Sequence, residues 1–166
     1  MTPKPIRRSD GSPPTSYLKS LERFAVHELG HAAGMLNQGI TIDKVVLYPK
    51  GESPDGKRMH GECLPRLGNG CNDQETQRKY IVALLCGPAA VREVLNKCLD
   101  KGDKIDRDAA CKLACDAGLA SEWTSLEEQA KGIVSSRTVA IKKLAEQLAK
   151  GSCYCMPASE LTTLKP

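Results

Sequence analysis

Aromatic residues are scarce in this chain: they make up 4% of its 166 residues, with one Trp and one Phe, so a core must be built from Leu, Val, Ile and Ala. Long apolar runs are missing too. The longest uncharged stretches, such as residues 80–91, fall well short of the roughly 20 residues of a membrane helix, and no spanning segment is expected. Charge of one sign forms no block: 24 basic and 20 acidic residues leave a net +4, with Arg7-Arg8 and Lys142-Lys143 the densest pairs. No aromatic series accompanies those pairs, so the pattern describes a solvated surface and gives no reason to expect a nucleic-acid partner. No apolar leader opens the chain, since residues 1–14 are rich in proline and carry Lys4, Arg7 and Arg8. A cytoplasmic location and reduced thiols are the expectation. None of the eight cysteines forms a Cys-x-x-Cys pair, which leaves a zinc ribbon or thioredoxin motif unsupported. What remains, 40% hydrophobic and 27% charged, excludes collagen-like, mucin-like and wholly disordered chains and fits one globular domain.

Residues 1–14 read as a flexible arm. Leu18, Leu21, Ala25, Leu29, Ala32 and Leu36 then define one helical stripe, and Phe24, His27, His31 and Met35 a second on roughly the opposite side. A helix with apolar character on two sides packs centrally. Thr15 or Ser16 could cap its start and Gly39 suits its end. The β-prone run 42–48, closed by Pro49, and a returning strand at 58–64 predict a small hairpin across a turn at 51–57, followed by a loop over 65–72. Helical pattern resumes at Asp73, where Gly87-Pro88 should kink or interrupt it. A third helix is predicted over 105–117 with Gly118 as its stop. A long amphipathic one follows over 125–150, with Thr124 and Glu127 as a capping box, Glu127–Lys131 and Glu146–Lys150 as ion pairs, and Gly151 at its end. Residues 152–166 read as a C-terminal tail. Cys111 and Cys115, four apart on a helix, could share a ligand, with buried apolar packing the expected explanation. The fold class is mainly α with a minor β part, a helical bundle around one helix with a small β-hairpin.

His27-Glu28-Leu29-Gly30-His31 is an H-E-x-x-H motif within the strongest helix. Residues four apart lie one turn above each other, so both imidazoles can reach one metal ion. Glu28 lies about 100° round the helix from His27 and can act on water without ligating. A catalytic zinc site needs a third protein ligand and an open position. The H-E-x-x-H-x-x-G-x-x-H continuation fails: Gly34 is in place, but position 37 is Asn37. The remaining histidine, His60, falls in the hairpin and reads as a surface residue. The third ligand is then a carboxylate, with Glu62, Glu93, Asp103, Asp106 and Asp108 the candidates, or less favourably a cysteine; spacing does not choose among them.

The run Phe24-Ala25-Val26-His27-Glu28-Leu29-Gly30-His31-Ala32 resembles the V-A-x-H-E-A-G-H-A core of the FtsH-type zinc metalloprotease domain. Residues 42–49 resemble the strand that follows there, and Cys86-Gly87-Pro88-Ala89-Ala90 stands where that family has G-G-R-x-A-E. The Gly102-x-x-x-Asp106-x-x-x-Ala110-x-x-x-Ala114 pattern resembles its G-A-x-N-D-x-x-x-A-T-x-x-A segment. The resemblance covers about residues 20–120 and implies that residues 15–151 form a zinc metalloprotease-like domain in which Asp106 is the third ligand. Departures are the loss of the G-R-x-A-E arginine and glutamate, Ile105 in place of Asn, and Cys111 in place of Thr. No Gly-rich phosphate loop is present, so the expectation is a stand-alone protease domain without an ATP-driven unfoldase. The resemblance implies a Zn2+-dependent peptidase acting on polypeptides that are unfolded or delivered by a partner. His27, His31 and Asp106 would hold the metal, Glu28 would be the general base, and an oligomer is possible. The competing reading is a zinc-binding, non-catalytic module that serves protein interaction.

Overall fold

The computed structural model describes residues 15–49, 61–65, 73–97, 101–151 and 154–166. The predicted arm at 1–14, the turn at 51–57, His60 and the loop at 66–72 lie outside the described residues. Helix α1 (Thr15–Asn37) is the axis of the fold. Leu21, Ala25, Val26, Leu29, Ala32 and Ala33 are all buried, and Met35 on the other stripe is buried too, so the helix is covered on two sides as its pattern predicts. It stops at Gly39, whose φ of 73° is open to glycine at no steric cost, and the Ile40 N–H closes back on the Met35 carbonyl at 2.8 Å.

Strands β1 (Ile42–Leu47) and β2 (Gly61–Pro65) form the expected antiparallel hairpin, with Val45 opposite Cys63. The sheet has a third member. β3 (Cys155–Pro157) lies antiparallel on the other side of β1, giving the order β2-β1-β3 with Met156 opposite Val45. Residues 155–164 are therefore no tail: Met156, Leu161 and Leu164 are buried in the same core as α1. Three residues are too few to show a period, so this strand has no sequence pattern of its own. Leu164→Ala should cost about 2–5 kcal/mol, the usual loss for emptying a buried leucine site, whereas a residue in a free tail would be neutral. Chemical unfolding of the two proteins measures the difference.

Helix α2 (Gln74–Leu95) opens at Asp73, whose carboxylate accepts the Thr76 N–H at 2.9 Å, and runs uninterrupted through Pro88. It packs on α1 at backbone distance. A Cβ at Gly30 would lie 2.5 Å from the Cys86 carbonyl oxygen, and one at Gly34 would lie 2.8 Å from the Cys86 sulfur. Gly34 is thus a packing glycine. Burial pushes the Cys86 thiol up to about 12, so it behaves as a small apolar filler in this seam. Helix α3 (Lys101–Asp116) starts four residues before the predicted helix and stops near Gly118, φ 71°.

The long helix predicted over 125–150 is two: α4 (Trp123–Ser135) and α5 (Thr138–Lys150). The apolar stripe of Leu126, Ala130, Ile133, Ile141, Leu144 and Leu148 meets Arg137 midway, and the chain breaks there. The Arg137 guanidinium donates to the Leu164 carbonyl at 2.8 Å and the Ile133 carbonyl at 3.1 Å, tying the break to the C-terminal segment. The Thr124–Glu127 capping box does not form. Glu122 is the N-cap of α4, makes no side-chain cap bond, and instead pairs with Arg78 of α2. Glu127 pairs across to Arg107 at 2.5 Å and not along its own helix to Lys131, while Glu146–Lys150 lies at 3.9 Å as expected. The fold is mainly helical with a small antiparallel sheet. Among the described residues no helix is long and apolar enough to cross a membrane.

Candidate metal centre

α1 presents His27 and His31 one above the other, and α3, packed on α2, brings Asp106 to both. The Asp106 Oδ2 lies 2.8 Å from His27 Nε2 and 3.4 Å from His31 Nε2, and the two Nε2 atoms lie 3.0 Å apart. Three donor atoms, one from each side chain, lie within 4.8 Å of one another. The opposite nitrogens of the two rings have partners elsewhere. His31 Nδ1 donates to the Ala83 carbonyl of α2 at 2.9 Å, which places a proton on Nδ1 and turns Nε2 toward Asp106. His27 Nδ1 lies 2.8 Å from Asp103 Oδ1, and Arg23 donates to the other oxygen of that carboxylate at 2.5 Å.

Asp103 is buried at 1% exposure, a depth at which a carboxylate needs compensating partners. It has them in Arg23, one turn before His27 on α1, and in His27 itself. A carboxylate behind a histidine fixes the ring's tautomer and orientation and raises the basicity of the nitrogen in front. Burial opposes charge on His27, yet the hydrogen bonds to Asp103 and then Asp106 outweigh it and lift the imidazolium pKa to about 10. Asp106 is likewise desolvated, and its hydrogen bonds to His27 and His31 still hold it well below the usual carboxylate range. The pocket is built to surround positive charge.

These residues fit a zinc ion. Two imidazole nitrogens and one carboxylate oxygen are a common catalytic donor set. Atoms held about 2.0–2.1 Å from one tetrahedral zinc would lie roughly 3.3 Å apart, close to the spacings here. Each imidazole also has its outer partner in place. A fourth constraint comes from α2. A Cβ at Gly87 would stand no farther than 3.0 Å from Nε2, Cε1 and Cδ2 of His31, so only glycine leaves room on that flank of the ring.

Glu28 projects from the same helix toward β2, where a Cβ on Gly61 would lie 2.8 Å from its Cγ. Burial raises the Glu28 pKa; the charges of His31 and His27 oppose this, and those of Asp106 and Glu62 add to it. Of the other carboxylates considered as ligands, Glu62 accepts the Tyr48 hydroxyl on β2, and Asp108 is exposed on α3. Glu93 lines a cleft with Arg92, Arg107 and Glu127 that includes neither histidine. Asp103, also a candidate ligand, stands behind His27 instead.

Arg23, Gly87 and the Ala83 carbonyl are the members of the site that sequence reasoning missed. The only local signals were the four-residue step from Arg23 to His27 and the three-residue step from Asp103 to Asp106, each of which keeps a helical face. No family model matches the chain, and no curated protein matches it.

Proposed function

We propose that this chain is a zinc-dependent endopeptidase of the FtsH-like type, acting on unfolded or partner-delivered polypeptide. The observation that carries this reading is the oriented pair of imidazoles. Both Nδ1 atoms are engaged by outer acceptors, and both Nε2 atoms converge with Asp106 Oδ2. The H-E-x-x-H motif and its resemblance to that family support the same chemistry.

In this reading His27, His31 and Asp106 hold the ion. Zinc, when bound, supplies Lewis-acid polarisation of a peptide carbonyl and of a nucleophilic water. Glu28 takes a proton from that water at a carboxylate oxygen and later delivers it to the leaving amine nitrogen. Its desolvation suits the task, because burial that raises a carboxyl's pKa makes it a stronger proton acceptor. Asp103 and Arg23 act through His27 as positioning residues.

Glu28→Gln should keep one zinc per chain and lose roughly 10²–10⁴-fold in cleavage of an unfolded protein, the range for removing a general base. Undiminished cleavage would falsify the role of Glu28. Full zinc content in a wild-type protein that cleaves nothing would favour the non-catalytic interaction module.

A further inference from the structure

Cys111 and Cys115 sit one turn apart on α3, and both are exposed. The expectation of buried packing is overturned: the buried side of α3 is formed by Asp103, Ala110 and Ala114. Unpaired cysteine is among the most buried of residue types, so two on one open helical face call for a reason.

Geometry selects among the reasons. Side chains four apart on a helix have Cβ atoms about 5–6 Å apart, whereas a disulfide requires about 3.5–4.5 Å. Oxidation to a disulfide would distort α3. Two sulfurs each about 2.3 Å from one shared ion can stand more than 4 Å apart, which an undistorted helix accommodates. The two thiols also sense each other. Partial desolvation, and next the charge and hydrogen bond of Cys115, raise the Cys111 pKa. That mutual influence places the two sulfurs within reach of one shared ion.

We propose that Cys111 and Cys115 form a two-thiol site on the outer face of α3 for one soft, thiophilic metal ion of the Cu(I) type. Thiolate suits soft ions and not magnesium, and two sulfurs supply only half of the four ligands that a structural zinc takes. Binding forms two sulfur–metal bonds and releases the two thiol protons to solvent, with no change in oxidation state. The site is separate from His27, His31 and Asp106 and does not depend on the peptidase reading.

The test uses the full, reduced chain under anaerobic conditions, titrated with Cu(I) held by a chromogenic chelator. Alkylation by N-ethylmaleimide is followed cysteine by cysteine in peptide mass spectra. With one equivalent of Cu(I), alkylation of Cys111 and Cys115 should slow together by ~10-fold or more, because the occupied thiolate is no longer a nucleophile. In Cys111→Ser, Cys115 should react at its metal-free rate. Protection of other cysteines with these two unaffected would overturn the proposal, as would protection of Cys115 that survives in Cys111→Ser. The double serine variant should keep its helical circular dichroism and its zinc content, which separates loss of this site from failure of the histidine centre.

Discussion

Asp106→Ala is expected to lower zinc affinity by more than the ~10–100-fold that an outer partner contributes, and to end peptidase activity with it. The reason is positional. Asp106 supplies the one carboxylate oxygen that reaches both Nε2 atoms, at 2.8 and 3.4 Å, and no other described carboxylate joins that group. Asp103→Asn is the informative comparison. It leaves all three donors in place and removes the charge behind His27, so its loss should stay within that ~10–100-fold range. Competition with a chelator of known zinc affinity measures both. If Asp106→Ala keeps full affinity, or if Asp103→Asn is the more damaging of the two, the assignment of ligand and outer partner is wrong.

Gly87→Ala should reverse the usual sign of a glycine-to-alanine change in a helix. Alanine in a helix interior is ordinarily favoured by roughly 0.5–1 kcal/mol, because glycine loses more chain entropy on folding. At position 87 the added methyl meets the His31 ring, and the ring cannot swing away without giving up its bond to the Ala83 carbonyl. Overpacking of this kind typically costs about 1–3 kcal/mol, and on the proposed assignment of His31 as a ligand zinc affinity should fall with it. Gly132→Ala in α4 is the control. A Cβ there meets nothing within 4 Å, so stability should rise by about 0.5–1 kcal/mol with zinc binding unchanged. Thermal unfolding with and without zinc reads both variants, and a stabilised Gly87→Ala with full affinity would contradict the packing described at His31.

The histidine pair could be read from sequence because its geometry is local: two residues four apart on a helix meet whatever the rest of the chain does. Asp106 could not be chosen that way. Glu62, Glu93, Asp103, Asp106 and Asp108 are all acidic residues on nearby elements, and only the tertiary placement of α3 puts Asp106 at both Nε2 atoms and Asp103 behind His27. Resemblance pointed to Asp106, and composition was silent on Arg23 and Gly87. The helical skeleton followed from periodicity, but Gly87-Pro88 does not interrupt α2, and the stripe through residues 126–148, continuous in spacing, is divided where Arg137 falls on it. The C-terminal strand escaped for the opposite reason. Its fit depends on a partner strand far away in sequence, and two buried leucines in 3-10 turns carry no pattern.

That strand also sets an order of assembly. β1 and β2 follow each other directly in the chain, and α2 comes next after the hairpin, so their pairings span far less of the chain than that of β1 with β3. β3 pairs with β1 only after α2, α3, α4 and α5 have intervened in the chain, with the Leu47 N–H donating to the Tyr154 carbonyl at 2.8 Å beside it. Contacts of such long sequence separation form slowly, because the chain entropy of closing the loop is lost before the contact returns anything. The last strand to dock is therefore the one that completes the sheet on which Glu28 rests, and the donor atoms on α1 and α3 can meet before it arrives.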